Sequence, residues 1–269
     1  MTDNNTKATP RTDLLFPEGV PTGAVVIFGA TGGIGPAICS TFAAAGCRLA
    51  ITYHKGQERA EALAADLKAA GAEVTALKVD VTDPASVESC LEAAAETFGG
   101  IASIIYASGP KVTIRPIADI DPELWASAIN TDVNGFFHIV RAAIPYLRRS
   151  RGPIVALCTA GTARYPSLDI LSAGPKASVQ MLVRGIAREE GRNGIRANSI
   201  GVGTIQAGQS MELMSDPRFE RVVDRVINAT PLKRLGEASE IASVALFLAS
   251  PMASYVNGQH VNVDGGGSV

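Results

Sequence analysis

Ala24-Val25-Val26-Ile27-Phe28 runs directly into Gly29-Ala30-Thr31-Gly32-Gly33-Ile34-Gly35-Pro36, and this junction decides the fold. An apolar run with β-branched residues at its centre reads as a buried strand. The glycines at 29, 33 and 35 permit a tight turn, and their missing side chains let backbone N–H groups approach a pyrophosphate at the start of a helix near Pro36. A glycine-rich turn alone says little. Its place between a first strand and a first helix carries the signal.

Working outward, runs of the same kind recur at Arg48–Tyr53, Val74–Val79, Ser103–Tyr106, Ile154–Cys158 and Ile195–Ile200. Between them lie segments such as Glu58–Ala70 and Ala85–Phe98, whose Ala, Leu and Glu content and apolar spacing suit helices covering a sheet. The alternation predicts right-handed βαβ units and hence an α/β fold, a Rossmann-type doubly wound parallel sheet in a single domain. Its ligands are expected beyond the carboxyl ends of the strands. Residues 1–22 are polar and contain prolines, and they read as a flexible N-terminal extension ahead of a domain spanning 23–269.

A chain of 269 residues with 46% hydrophobic content can bury a large core, and the length suits one domain. The 24 basic and 26 acidic residues are spread along the chain, so no basic stripe exists for nucleic acid. Apolar stretches break well before the roughly 20 residues a bilayer needs, and the N-terminus lacks a basic region followed by an apolar one. A cytoplasmic protein without membrane contact is expected. Cys39, Cys47, Cys90 and Cys158 have neither C-x-x-C nor metal spacing, so no metal site is expected and the thiols read as small core residues in a reducing compartment.

Cofactor chemistry is read at two strand ends. Asp80, in Val79-Asp80-Val81, is either an acceptor for an adenine amino group or an ordinary strand-end Asp. A carboxylate closing the second strand would bind the ribose 2′-hydroxyl of NAD, but this chain has Thr52-Tyr53-His54-Lys55. No acid and a nearby cation favour NADP, with NAD the alternative and a solvated Lys55 the bland reading.

These features together resemble the short-chain dehydrogenase/reductase family. The glycine turn has its Gly-x-x-x-Gly-x-Gly spacing, and Asp80-Val81, Gly109, Asn198 and Gly203 fall where the family has them. The most specific match is C-terminal, through Pro231–Gly236, Glu240-Ile241-Ala242, Phe247–Ser250, Gly258-Gln259 and Val263–Gly266. The resemblance covers about residues 23–266. It implies a nicotinamide cofactor held by Gly29, Thr31, Gly33, Ile34 and Gly35, by Tyr53, His54 and Lys55, by Asp80, Val81, Ser108 and Gly109, and by Lys176, Gly203 and Ile205. Gly32 stands where many NADP-preferring relatives carry a base. A homotetramer is also implied, with contacts at the Phe136/Phe137 helix, the Lys176 helix and the final strand.

The reaction site departs from the family. There a Tyr and a Lys in Y-x-x-x-K transfer the proton, a Ser orients the carbonyl and an Asn holds a water relay, the Lys lowering the Tyr pKa. The matching positions are Ser172, Lys176, Thr159 and Asp132, while Val202 and Ala207 replace a Pro and a Thr after the sixth strand. Thr159 keeps a hydroxyl. Ser172 is shorter than a phenol and a far weaker acid, so it cannot deliver a proton to the same point. Asp132 brings negative charge toward Lys176, which implies either a salt bridge or a protonated acid. Asp169, seven residues before Lys176, has the spacing at which the family's enoyl reductases place their Tyr, yet an N-cap for the helix starting near Leu171 is the expected role. Tyr165 and Tyr106 are expected to flank the cleft, Tyr106 either facing nicotinamide or packed beneath it. His138 and His260 read as structural.

Two readings follow. The first is an NADPH-dependent oxidoreductase of a ketone/alcohol pair or an activated alkene, a ketoreductase-like enzyme with a non-standard proton donor. The second is a non-redox protein on the same fold, either a lyase or isomerase using Asp132, Asp169 and Lys176 or an NADP-binding sensor. The segment at about 204–230, with Met211, Leu213, Met214, Phe219, Val222, Val223 and Val226, is expected to form a lid over an apolar substrate, the equal alternative being that these side chains pack against the domain.

Overall fold

Seven strands make one parallel sheet in the computed structural model, which describes residues 15, 16, 18–109, 113–208, 211 and 220–269. They are β1 (Ala24–Phe28), β2 (Arg48–Tyr53), β3 (Val74–Lys78), β4 (Ile101–Tyr106), β5 (Ile154–Thr159), β6 (Ala197–Val202) and β7 (His260–Val263), in spatial order β3-β2-β1-β4-β5-β6-β7. The chain winds outward from β1 in one direction and from β4 in the other. The crevice at the carboxyl ends between β1 and β4 is therefore the topological switch point.

The helices named here are α1 (Gly35–Ala44), α2 (Gln57–Ala69), α3 (Pro84–Phe98), α4 (Pro122–Ile129), α5 (Gly135–Ser150), α6 (Ile170–Glu190), α7 (Glu220–Ala229) and α8 (Ala238–Ala249). Alternation along the strands supplies two cores. Val25, Ile27, Leu49 and Ile51 pack against α1, α2 and α8 through Ile38, Phe42, Leu67, Ile241 and Leu246. Val26, Phe28, Ile104 and Ala156 pack the other way, against Leu91 of α3, Phe136 and Ile139 of α5 and Val179 and Val183 of α6. With both faces covered, strands need continuous apolar runs, which is why they stand out in the sequence.

The sixth strand differs from the reading Ile195–Ile200 by two residues at each end. Pairing begins at Ala197 opposite Ile154 and continues through Gly201 and Val202, which pair with Cys158 and Thr159 on one side and Asn262 and Val263 on the other. Neighbours on both sides carry the strand past a glycine that breaks the apolar run. Asn198 joins this edge to the closing strand, donating to the Val256 carbonyl at 2.8 Å and accepting from the Gln259 N–H at 3.0 Å.

Phe16, within the stretch expected to be a flexible extension, is buried in the α1-side core, with Leu15 and Val20 packed beside it. All four cysteines are free and buried, and burial pushes each thiol up to about 12. Among the described residues no helix is long and apolar enough to cross a membrane.

Candidate active site

A cleft of about 810 Å³ runs along the carboxyl ends of the strands. Its floor is the turn predicted at the first strand. Gly29 has φ +85°, and a Cβ there would stand 2.6 Å from the Ala107 carbonyl carbon, so no other residue fits between β1 and the loop after β4. Helix α1 then begins at Gly35 with Ile34 as its N-cap and no side chain capping its first amides. Uncapped N–H groups at a helix start, beside a turn whose Cβ positions are filled by neighbouring backbone, fit a dinucleotide pyrophosphate.

Of the residues expected to hold the cofactor, Gly29, Thr31, Gly33, Ile34, Tyr53, His54, Lys55, Asp80, Val81, Ser108, Gly109, Lys176, Gly203 and Ile205 all line this cleft. Gly35 does not; a Cβ there would meet the Ala30 and Gly29 carbonyl oxygens at 2.3 Å, so it lets the helix start close under the turn. Asp80 Oδ1 accepts from the Thr82 N–H at 2.9 Å and the Thr82 hydroxyl at 2.7 Å, which hold its carboxyl below the usual carboxylate range. Its Oδ2 lies 3.6 Å from His54 Nε2. Arg59 was missed by the sequence reading. It lines the cleft together with Lys55, from the first turn of α2, and its place four residues after Lys55 was the available signal.

At the reaction end Lys176, Ser172, Thr159, Asp132 and Asp169 line one wall, with Ile114, Leu171 and Val202 as apolar neighbours. The Lys176 ammonium donates to Asp132 Oδ1 at 2.8 Å and to the Ser108 carbonyl at 2.9 Å. Asp132 thus meets Lys176 within ion-pair distance, as expected. Asp132 reaches the lysine from a single π-helical turn, Asn130–Asn134, that links α4 to α5. Such a turn re-aims one residue within an otherwise continuous helical run. Thr159 Oγ1 accepts from the Gly161 N–H at 3.1 Å, leaving its own hydroxyl hydrogen to donate elsewhere.

Two expectations are corrected, for Asp169 and Tyr165, and the alternatives left open for Tyr106 are decided. Asp169 occupies the N-cap position of α6 but its side chain caps no amide. Asp169 lines the cleft wall near Ser172, and burial pushes its carboxyl up to about 6. The residue before it, Leu168, has φ +72°, and its carbonyl accepts from the Arg115 N–H at 3.2 Å. A branched side chain in left-handed backbone is strained, and the tether holds that turn in place. Of the two alternatives for Tyr106, the packed one holds and the residue does not face the cleft. It is wholly buried, with its hydroxyl on Asp132 and burial holding it well above the usual phenol range. Tyr165 is half exposed and does not line the cleft either. Among the described residues, Tyr53 at the far end is the one tyrosine in the lining.

His138 bonds the Val81 carbonyl at 3.0 Å. His260, on β7, lies between the Ser199 and Thr162 hydroxyls at 2.9 and 3.3 Å. Ala207 and Gly208 of the expected cover line the cleft, and α7 follows from 220; Leu213, Met214 and Phe219 lie outside the described residues.

Comparison with known proteins agrees with this geometry. The family model described as enoyl-(acyl carrier protein) reductase matches residues 29–268. A 7alpha-hydroxysteroid dehydrogenase of Escherichia coli (strain K12) is 30% identical, covering 90% of this chain and 92% of its own. A 3-oxoacyl-(acyl-carrier-protein) reductase of Staphylococcus aureus (strain N315) is 28% identical over 91% of this chain and 98% of its own. Among solved structures, levodione reductase superposes with a TM-score of 0.86 at 32% identity, covering 91% of this chain and 97% of that one.

Proposed function

The chain belongs to the short-chain dehydrogenase/reductase family, and from that premise we propose that it is an oxidoreductase that works with NADPH on a ketone or an activated alkene and draws its proton from Asp169. The observation that carries this reading is Asp169, which lines the cleft wall next to Ser172 and caps no amide of α6. A group raised to about 6 is a usable acid near neutrality, whereas the Ser172 hydroxyl is far too weak.

When bound, the nicotinamide supplies the hydride. Thr159 then donates its free hydroxyl hydrogen to the oxygen on which charge develops. The Lys176 ammonium adds positive charge and has one N–H left for the ribose after bonding Asp132 and Ser108. Asp169 gives up its proton to the alkoxide; with an activated alkene the product is a stabilised enolate that water can protonate. Lys55 and Arg59 supply the cationic edge that suits a 2′-phosphate, and the second strand ends without a carboxylate for a 2′-hydroxyl. Ile114, Leu171 and Val202 suit an apolar substrate.

The test mixes purified protein with NADPH and a panel of ketones and enones while following the absorbance of reduced nicotinamide. Turnover that D169N cuts sharply supports the proposal. NADPH binding without turnover of any panel member sinks it and favours a lyase, isomerase or sensor.

A further inference from the structure

The buried side of Lys176 is built unlike its cleft side. Asp132 is 1% exposed, and its Oδ1 accepts two hydrogen bonds at once, from Lys176 Nζ at 2.8 Å and from the Tyr106 hydroxyl at 2.8 Å. The same hydroxyl lies 3.2 Å from the Asp132 carbonyl oxygen. The Tyr106 ring, 0% exposed, places its centroid 4.9 Å from Lys176 Nζ and 4.9 Å from the Phe136 ring. Tyr106 thus meets the ammonium twice, once through the face of its ring and once through a shared carboxylate oxygen.

A buried carboxylate is tolerable only where its oxygens are bonded, and an ammonium alone on Oδ1 leaves the pair free to swing together. The phenol removes that freedom, because the β4 backbone and Phe136 fix the ring.

We infer that Tyr106 is a positioning residue that acts through Asp132 to lock the Lys176 ammonium, and that it plugs the rear of the lysine so that protons and ligands reach it from the cleft alone. The phenol does not replace the missing proton donor, since it is shut off from the cleft and from water. Its task is to make the lysine a fixed cation. The inference rests on the reading of Lys176 as a cofactor contact, but the lock itself is a property of the protein without ligand.

Two measurements test it on the full chain. In the ligand-free protein labelled with ¹⁵N-lysine, the Lys176 ammonium, open to water from the cleft side alone, is expected to give a detectable NMR signal more protected from exchange than that of an exposed lysine. Y106F, which keeps the ring and removes only the hydroxyl, is expected to broaden it beyond detection. In NADPH titrations Y106F is expected to weaken binding roughly tenfold, the size expected for a lost hydrogen bond to a charged group, with D132N at least as severe and the double variant no worse than D132N alone. A protected ammonium signal in Y106F, or additive losses in the double variant, would overturn the inference. If Y106F fails to fold, D132N carries the exchange measurement, and an ammonium still protected there overturns it equally. Absence of NADPH binding in the wild type would sink the functional reading, while the exchange result would still decide the lock.

Discussion

Gly33 and Gly208 face each other so closely that a Cβ on Gly33 would stand 2.2 Å from the Gly208 Cα. The glycine turn after β1 and the segment after β6 therefore touch backbone to backbone, at one end of the cleft that both of them line.

Gly33→Ala forces those two backbones apart. NADPH affinity is expected to drop by more than about tenfold, and the melting temperature by several degrees, because the displaced atoms are backbone. Calorimetric titration with a thermal melt checks both.

Cofactor choice is expected to reside in Lys55 and Arg59. Replacing either by Ala removes a cation from the edge proposed to meet the 2′-phosphate and is expected to weaken NADPH roughly tenfold while leaving NADH nearly unchanged. Equal losses for both cofactors would show that these side chains touch the shared part of the molecule.

Thr159→Val keeps the shape of the side chain and deletes the donor. A fall in kcat of roughly 100-fold with little change in KM is the signature of a bond that strengthens as charge develops. The lost acceptor for the Gly161 N–H makes a circular dichroism control necessary.

Acid stability is expected to depend on Glu190. Its carboxylate takes the Arg148 guanidinium at 2.6 and 2.8 Å and the Asn193 amide at 2.7 Å, which hold it down at about 2. A carboxyl depressed in the folded state stabilises above its unfolded value near 4.5, and the stabilisation is lost as pH falls toward about 2. Glu190→Gln is expected to cost about 2 kcal/mol at pH 7 and to flatten the decline between pH 4.5 and 2 in denaturant titrations.

The architecture was legible because a doubly covered parallel sheet writes each strand as an unbroken apolar run, and because Gly29 and Gly33 have backbone reasons to be glycine. The cofactor half was legible for the same reason, being made largely of main chain at fixed places in the turn. The reaction half was not. Whether Asp169 caps α6 or faces the cleft depends on the strained Leu168 turn and the Arg115 tether, and no residue pattern announces either. Tyr106 follows the same logic: its partner Asp132 lies 26 residues away and is brought to it by a π-turn, a feature set by packing rather than by local sequence. Arg59 was overlooked because a cation on an exposed helix face reads as solvated until the neighbouring loop is seen beside it.

The proton source is tested most directly by the pH dependence of kcat/KM, from pH 5 to 8, for the fastest panel ketone with saturating NADPH, in the wild type and in D169N. Asp169 must be protonated to act, so the wild-type rate is expected to be full below about pH 6 and to fall roughly tenfold per unit above it. D169N is expected to be at least about 100-fold slower and flat across the range. A wild-type rate that ignores pH through 6, with D169N turning over as fast, would contradict the account.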